Sequence, residues 1–447
     1  MTRKYKNTSE SAIGEPNRIP RDQHSISRKQ ISQGALKVLY TLKDAGHEAY
    51  MVGGGVRDLL AGCKPKDFDI ATSARPEEVR RLFRSSRLIG RRFLIAHVRM
   101  GSETLEVTTF RGDITDSHER DETGRILSDN IYGTLESDAF RRDFTVNALY
   151  YDIRDFSIVD FTGGIDDLHQ HQLRLIGDPE LRYREDPVRM LRAIRIASKL
   201  GFSIESASAE PIVRLGPLLG EIPPARLFDE IIKLLMSHDG VANLHGLRRS
   251  GLFGILFAET ETAIAEDGVW FKLLERALEN TASRIANDQP VTPAFLYAAL
   301  LWPAVALRAS HLASCEGHTP MQALTQAADE TVARQILRVA IPKRFSLPMR
   351  EIWLLQSRFD HRSGVRAQRL LGHKRFRAAY DFLCLRGESS EPELSPLAQW
   401  WTRAQTEGDI VALSEAEEAG DTASAPPRKR RRRSERRRSG GTSTATD

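Results

Sequence analysis

Short apolar runs alternate with helix-period patterns along the first third of the chain, and helix-period patterns alone follow. Between about residues 26 and 155 the apolar runs, such as Ala49–Val52, have the length of buried strands. From about residue 163 to 404 the strand signals fade and long helical patterns continue. The pattern therefore predicts an α/β domain followed by an all-α region.

The same pattern divides the chain into five parts. They are a polar segment predicted to be disordered (1–25), an α/β head (26–160), a first helical region (161–245), a second helical region (246–405) and a C-terminal tail (406–447). The tail begins as an acidic stretch rich in Ala, Ser and Pro, which is typical of a linker, and it ends in a run of arginines.

Two aspartates alternate with apolar residues just after the first strand-like run. Residues i and i+2 of a strand face the same way, so Asp67 and Asp69 are expected to project together. Phe68 and Ile70 would then point into a core. Paired carboxylates suit hard divalent cations, which prefer oxygen ligands. An Asp-x-Asp pair alone is also common in exposed turns, so its neighbours decide its meaning.

Glycines precede this pair at an informative distance. Gly54 and Gly55 follow the apolar run Ala49–Val52, and eleven residues separate them from Asp67. Glycines at the end of a strand let backbone N–H groups approach phosphate closely.

A third carboxylate stands in another alternating run. Glu106 lies between Leu105 and Val107, which can face the core while the carboxylate faces the opposite side. With Asp67 and Asp69 upstream, Glu106 is interpreted as a further metal ligand rather than an ordinary exposed strand glutamate. The three carboxylates and the glycines together indicate metal-assisted nucleotidyl transfer.

One helix of the all-α region can be predicted in detail. Asp186 and Pro187 are a typical helix start, and Gly201 is a typical end. The helix carries an apolar stripe and a basic stripe: Val188, Leu191, Ile194 and Ala197 on the first, and Arg189, Arg192, Arg195 and Lys199 on the second. The simpler interpretation is a solvated basic face. The sharper one is that Asp186 and Arg189 hydrogen-bond to the edge of a nucleobase.

Composition predicts a soluble, cytoplasmic protein. The cysteines Cys63, Cys315 and Cys384 are far apart and form no C-x-x-C pair, so neither disulfides nor a zinc site is expected. The N-terminus lacks the apolar core of a signal peptide. The longest apolar stretch, residues 295–307, contains Pro303 and is shorter than the ~20 residues that a membrane span needs.

The net charge of +5 is concentrated near the C-terminus. Nine basic residues lie close together there: Arg428, Lys429, Arg430, Arg431, Arg432, Arg433, Arg436, Arg437 and Arg438. The rest of the chain is slightly acidic. Such a tail usually binds nucleic acid, so these residues are predicted to bind RNA, and a merely solubilising tail is the alternative.

Five segments together resemble the motifs of the class II nucleotidyltransferases, which comprise bacterial poly(A) polymerases and tRNA CCA-adding enzymes. The segments are Gly53–Asp69, Arg141–Ala148, Asp167–Pro179, Arg184–Arg192 and Pro223–Glu230. Their order and spacing match that family. The segment Leu88–Val98 resembles one that marks the polyadenylating members.

The resemblance implies a polymerase-β-type nucleotidyltransferase head followed by all-α neck, body and leg regions. The neck would be the first helical region, with nucleobase recognition, and the body and leg would bind RNA. It also implies template-independent transfer of AMP from ATP to an RNA 3′ end, with release of pyrophosphate and a role in mRNA processing and RNA turnover. The alternative within the family is a tRNA CCA-adding enzyme. A non-catalytic RNA-binding protein is disfavoured because all three carboxylates are present.

Residue roles carry over from the resemblance. Asp67, Asp69 and Glu106 would be catalytic ligands of two Mg²⁺ ions. Asp143 would be catalytic or would orient the adjacent arginines. The ATP-binding set would comprise Gly54, Gly55, Arg57, Asp58, Arg141, Arg142, Asn147, Asp186, Arg189 and Arg192. Within that set, Asp186 and Arg189 would select adenine.

Two further expectations concern neighbours of these residues and partners of the whole protein. Arg226 and Glu230, one helical turn apart, are predicted to pair with each other and stiffen the neck. The expected partners are ATP and RNA 3′ ends, with RNA-decay machinery and an RNA chaperone as further candidates.

Overall fold

The computed structural model describes residues 15–90, 93–112 and 131–407. The described residues form two compact units, one ending at Leu354 and the other beginning at Leu355. The predicted head and most of the predicted helical region belong to the first unit. The arginine-rich tail, Arg91, Arg92 and the acidic linker lie outside the described residues.

The head is built on an eight-stranded mixed sheet with the strand order β1-β8-β7-β2-β3-β6-β5-β4. Its strands are β1 Asn17–Ile19, β2 Ala49–Val52, β3 Asp69–Thr72, β4 Ser86–Ile89, β5 Ile95–Met100, β6 Glu103–Thr109, β7 Leu149–Asp152 and β8 Ile158–Asp160. The β3–β6 pair is parallel, and every other pair in this sheet is antiparallel. A small separate sheet pairs β9 Gln172–Leu173 with β10 Ser203–Ile204 in parallel.

Helices account for most of the remainder, as predicted. In the head they are α1 Gln33–Asp44, α2 Gly54–Leu60, α3 Pro76–Leu82 and α4 Leu135–Arg141. Next come α5 Gly164–His169, α6 Pro179–Glu185, α7 Val188–Leu200, α8 Ser206–Leu215, α9 Pro224–Leu235, α10 Gly240–Arg249, α11 Leu252–Leu256, α12 Ala258–Glu266, α13 Val269–Ala286, α14 Pro293–Cys315, α15 Pro320–Arg338, α16 Lys343–Gln356, α17 Gly364–Leu371, α18 Phe376–Ser389 and α19 Ser395–Glu407. Short 3₁₀ helices occur at Arg21–Gln23, Arg28–Gln30, Thr145–Asn147, Gly216–Glu221 and Pro392–Leu394.

The core of the head lies where the central strands pack against α4. Tyr50, Ala71 and Tyr150 come from β2, β3 and β7, and they cluster with Leu135 and Ala139 of α4. All five are buried. This packing brings α4, whose last residue is Arg141, next to the strands that carry the carboxylates.

The N-terminal segment departs from the prediction. Disorder was expected up to residue 25, but β1 pairs with β8, and His24 Nε2 lies 2.8 Å from the carbonyl oxygen of Phe156. Ile26 is fully buried just after it. Residues 17–25 are polar because they include an edge strand, one face of which stays in water. Composition alone does not distinguish such a strand from a disordered segment.

The predicted helix in the neck is confirmed as α7. It begins one residue later than expected, and the Asp186 carboxylate accepts a hydrogen bond from the Val188 backbone N–H at 3.3 Å. Gly201 ends it with φ = 66°, a conformation that favours glycine. The apolar stripe is buried, as predicted.

The apolar stretch around Pro303 forms a longer helix than the sequence suggested. α14 has 23 residues and is long and apolar enough to cross a membrane by length and composition. However, 61% of its most apolar window is buried inside the protein, and core helices pass the same test. Its burial is that of a core helix of the first unit.

The second unit has a core of its own. Trp400 and Trp401 of α19 are fully buried, and Trp401 donates from its Nε1 to the carbonyl oxygen of Phe359 at 2.9 Å. Phe376 of α18 packs against the same tryptophan. These tryptophans therefore pack the core.

Candidate active site

Two adjacent parallel strands bring the carboxylates together. In the β3–β6 pair, Asp69 lies opposite Glu106 in register. Asp67 precedes β3 rather than lying in it, but the alternation continues, because Phe68 is buried and Asp67 is exposed. The three predicted ligands therefore share one face of the sheet, at the start of β3.

The electrostatics of this face of the sheet suit a cation. Burial, followed by the negative charges of Glu106 and Asp67, raises the pKa of Asp69 to about 6, although Arg142 opposes the shift. A bound cation would relieve this repulsion, and the all-oxygen donor set suits Mg²⁺. In the described part of the chain, no three His, Cys, Asp or Glu side chains stand close enough to hold a metal ion as they are placed. Asp67 and Glu106 are both exposed, so they can adjust to a metal.

The glycines at the start of α2 leave room beside the carboxylates. Gly53 has φ = 74°, and a Cβ there would lie 3.6 Å from Asp69 Oδ2 and 3.5 Å from Arg142 Nη1. A Cβ on Gly55 would lie 3.3 Å from the carbonyl oxygen of Asp67. The tight turn therefore depends on Gly53, and Gly55 lets α2 pack against the backbone that presents Asp67.

A cavity of ≈ 210 Å³ lies within the first unit and is strongly charged. It is lined by Arg111, Asp138, Arg141, Arg142, Asp143, Asp186, Arg189 and Arg192. Six of these eight residues belong to the predicted ATP-binding and catalytic set, drawn from two motifs far apart in the sequence. Five guanidinium groups around one cavity suit a triphosphate.

Sequence reasoning missed Asp138, which holds Arg142 in place. Its Oδ2 accepts hydrogen bonds from Arg142 Nε and Nη2 at 3.2 and 3.0 Å and from the Tyr150 hydroxyl at 2.7 Å. Burial alone would raise the pKa of Asp138, but Arg142 and Tyr150 hold it below its usual range. The i,i+4 spacing of Asp138 and Arg142 was the available signal.

Arg182 was also missed, although it links α6 to the end of α4. It is buried, and its Nη2 donates to the carbonyl oxygens of Arg141 and Arg142 at 3.1 and 2.5 Å. Carbonyl groups at a helix C-terminus lack partners inside the helix, so this arginine satisfies them.

The Asp143 carboxylate accepts hydrogen bonds from residues other than those expected. It was predicted to act directly or to orient Arg141 and Arg142. In the structure its Oδ2 accepts from Arg192 Nε at 2.7 Å, and its Oδ1 accepts from Asn147 Nδ2 at 3.0 Å, whereas direct action of Asp143 in catalysis stays a prediction. Burial alone would raise the pKa of Asp143, but the Arg192 guanidinium and these hydrogen bonds keep it well below its usual range.

Asp186 and Arg189 both have protein partners. Arg226 Nη2 donates to Asp186 Oδ2 at 2.7 Å, and Arg189 Nη1 donates to Glu185 Oε2 at 2.9 Å. The predicted pair between Arg226 and Glu230 is therefore wrong, because the Arg226 guanidinium pairs with Asp186, which is 40 residues away in the sequence. Each side chain of the predicted base-reading pair is thus held in a defined orientation.

Arg57, Asp58 and Asn147 are buried rather than exposed to the cavity. Arg57 donates to Asn147 Oδ1 at 2.6 Å and to Asp58 Oδ1 from both Nε and Nη2. Lys199, which was assigned to a solvated stripe, donates to Asp58 Oδ2 at 2.6 Å. Direct contact of these three residues with ATP stays a prediction.

The hairpin of β4 and β5 contains most of the segment that resembles the polyadenylation marker. The Arg111 guanidinium lies 4.4 Å from the centre of the Phe93 ring. His97 Nε2 lies 3.5 Å from Glu106 Oε1 across the β5–β6 pair. The hairpin therefore contacts both a cavity arginine and the third carboxylate.

Comparison with known proteins agrees with this geometry along most of the chain. Poly(A) polymerase I of Salmonella typhi is 49% identical over 409 residues, which cover 89% of this chain and 88% of that protein. The chain belongs to the poly(A) polymerase I family. It is accordingly a polynucleotide adenylyltransferase, and polyadenylation of RNA is its reaction.

Family models match three parts of this poly(A) polymerase. They are described as the poly A polymerase head domain (49–174), the probable RNA and SrmB-binding site of polymerase A (201–264) and the polymerase A arginine-rich C-terminus (316–438). The head match contains all three carboxylates and Asp143.

CCA-adding enzymes are more distant relatives. That of Lactobacillus helveticus is 44% identical over 200 residues, which cover 45% of this chain and 49% of that protein. The crystal structure of the Bacillus stearothermophilus CCA-adding enzyme in complex with CTP is 26% identical, with a TM-score of 0.57, and covers 84% of this chain and 82% of that one. The head and helical architecture is thus shared across the wider family.

Proposed function

We propose that the face of the sheet at Asp67, Asp69 and Glu106 is the catalytic centre for AMP transfer to the RNA 3′-hydroxyl. The observation that carries the proposal is the register of Asp69 opposite Glu106, beside a cavity lined by five arginines. Attack of the 3′-oxygen on the α-phosphate forms the new phosphodiester bond and releases pyrophosphate.

Two Mg²⁺ ions are proposed to bind these three carboxylates. When bound, they would supply positive charge to the α-phosphate and the leaving group and would lower the pKa of the 3′-hydroxyl. The family is normally metal-dependent, and the raised pKa of Asp69 is what uncompensated carboxylates at a cation site show.

The protein's own groups would bind and orient the triphosphate. Arg142 lies beside Gly53 and Asp69 and is held by Asp138, so its guanidinium is aimed before ATP arrives. Arg141 and Arg111 line the same cavity. Guanidinium groups fixed in advance favour the transition state, because they need no rearrangement as charge moves to the leaving group. Gly54 and Gly55 are proposed to admit the phosphates.

Adenine selection is proposed for Asp186 and Arg189 at the start of α7. A carboxylate can accept from the exocyclic amine of adenine, and a guanidinium can donate to a ring nitrogen. Arg226 and Glu185 orient these two side chains. Arg192 is proposed to support them through its ion pair with Asp143.

Substrates and partners are proposed for whole regions of the chain rather than for single residues. RNA 3′ ends and ATP are the proposed substrates, and residues 201–264 and the arginine-rich tail are the proposed RNA-binding regions. RNA-decay machinery, an RNA chaperone and a cytoplasmic location are further proposals from the family, and the match of residues 201–264 to a probable RNA and SrmB-binding site supports a protein partner.

Asp69→Asn tests the assignment of the catalytic centre. Removing a charge that binds cations should lower the rate of AMP addition by about 10³-fold or more, because several kcal/mol of transition-state stabilisation are lost. Asp166→Asn, at an exposed aspartate of α5, is the matched control and should keep wild-type turnover. Near wild-type turnover of Asp69→Asn, with an unchanged unfolding temperature in both variants, would refute the assignment.

A further inference from the structure

A closed ring of polar contacts joins α7 to the head behind the cavity. Its members are Arg192, Asp143, Asn147, Arg57, Asp58 and Lys199, in the order of contact. Each contact is 3.0 Å or shorter. The helix itself closes the ring, because its first and last members both belong to α7.

The two attachment points on the helix lie on one side. Arg192 and Lys199 are seven residues apart, which is about two turns of an α-helix and about 10 Å along its axis. Their carboxylate partners are Asp143, which lines the cavity, and the buried Asp58. One attachment would let the helix pivot, whereas two along its axis fix its direction.

The ring members that belong to the head lie next to both the carboxylates and the cavity arginines. Arg57 and Asp58 lie in α2, which begins directly after Gly53 beside Asp69. Asn147 connects them to Asp143, next to the cavity arginines. The ring therefore ties the start of α7, which carries Asp186 and Arg189, to the elements that present the carboxylates.

We propose that Lys199 is a positioning residue for nucleotide selection, acting through its ion pair with Asp58. It is absent from the lining of the cavity proposed to bind the nucleotide, and its ammonium group contacts Asp58 instead. It sets the angle of α7 and hence the distance between the base-reading pair and the α-phosphate. The proposal rests on the adenine selection proposed above.

Loss of Lys199 would open the ring without leaving a buried charge unpaired. Asp58 keeps two hydrogen bonds from Arg57 when the lysine is removed. A large loss of folding stability is therefore not expected, which separates positioning from a structural role.

The experiment compares Lys199→Met, Lys199→Arg and the control Lys233→Met in the full-length protein. Lys233 forms a similar 2.9 Å ion pair, but with Glu230 of its own helix, so its loss detaches nothing. Single-nucleotide addition to an oligoribonucleotide gives kcat and KM for ATP and for CTP, and thermal unfolding gives Tm. Lys199→Gln serves if the methionine variant does not fold.

Lys199→Met should lower the preference for ATP over CTP by about 10-fold and raise KM for ATP, because small misplacements of bound groups are costly. Lys199→Arg should restore most of the preference, and Lys233→Met should match wild type. An ATP-over-CTP ratio unchanged in Lys199→Met, with or without a lower Tm, would overturn the proposal. Failure of the wild-type protein to prefer ATP would instead refute the proposed adenine selection.

Discussion

Asp69 is the residue on which the chemistry of the site converges. It is opposite Glu106, beside Gly53 and near Arg142, and its pKa is raised to about 6 by burial and by neighbouring carboxylates. Its neighbourhood therefore favours a cation when the carboxylate is charged, and a proton when no cation is present.

This environment predicts a pH dependence in the metal-free protein. Because folding raises this pKa, the folded chain holds a proton that the unfolded chain releases. The free energy of unfolding should therefore fall as pH rises from about 4 to about 6, through the contribution of this residue. Denaturant titrations of wild type and Asp69→Asn across this range would test it, and identical pH profiles would contradict the prediction.

The same proton competes with metal. Below about pH 6 the apparent affinity for Mg²⁺ should weaken by up to about tenfold per pH unit, because binding must displace the proton. Calorimetric titration with MgCl₂ in two buffers of different ionisation enthalpy would detect the released proton. A pH-independent affinity between pH 5 and pH 7 would show that Asp69 does not hold the metal.

Adenine selection is also testable by single-residue substitutions. Asp186→Ala or Arg189→Ala should each lose about 1–3 kcal/mol of preference for ATP over CTP, the value of one bidentate contact to a base. Arg226→Ala should have a smaller effect in the same direction, because it only orients Asp186. Unchanged ATP-over-CTP ratios in all three variants would mean that these residues only cap and link helices.

At the level of elements, α7 shows what sequence can and cannot predict. Its start, its glycine end and its buried stripe follow from local spacing, and all are found in the structure. A solvated face is the simpler interpretation of its basic stripe, but Arg192 and Lys199 pair with carboxylates 49 and 141 residues away. Periodicity shows which residues share a face, but the partner of that face depends on tertiary packing.

The catalytic strands were more predictable than the arginine network. Alternation within each segment places Asp67 and Asp69, and separately Glu106, on a face opposite to the apolar residues without any knowledge of neighbouring strands. Arg182 acts through the carbonyl groups of Arg141 and Arg142, about 40 residues away, whereas Asp138 acts through Arg142, four residues on, and through Tyr150 of β7. The i,i+4 spacing of Asp138 and Arg142 is a local signal, but nothing in the local sequence of Arg182 distinguishes it from a solvated helix residue.

The β4–β5 hairpin gives a prediction about an element. Gly90 has φ = 99°, and a Cβ there would lie 2.1 Å from the backbone carbonyl oxygen of Phe93. Gly90→Ala should therefore displace Phe93 from Arg111 and destabilise the protein by about 1–3 kcal/mol, the cost of a strained backbone.

Gly101→Ala in the next turn is the control for Gly90→Ala. Gly101 also has positive φ, 65°, but a Cβ there meets nothing within 4 Å. It should cost only about 1 kcal/mol, through backbone conformation alone. Thermal unfolding and AMP addition would be measured for both variants, and equal losses would show that the close approach at Gly90 is unimportant.

For the whole molecule, the arginine-rich tail should act through charge. Deletion of residues 422–447 should raise KM for RNA, leave kcat unchanged and make the salt dependence of binding shallower. Nine basic residues could each contribute about −0.7 to the log–log salt slope for single-stranded RNA, so the full effect is at most about −6. Equal salt slopes of the full-length and shortened proteins would exclude RNA binding by the tail.

Template-independent addition of adenylates by the Asp67, Asp69 and Glu106 carboxylates underlies every role proposed for the other residues. The most direct measurement is to sequence the 3′ ends made on a plain oligoribonucleotide with all four NTPs and Mg²⁺, by wild type and by Asp69→Asn. The wild-type protein should produce runs of A, and Asp69→Asn should produce none. Products ending in CCA on truncated tRNA only, or A runs from Asp69→Asn, would contradict it.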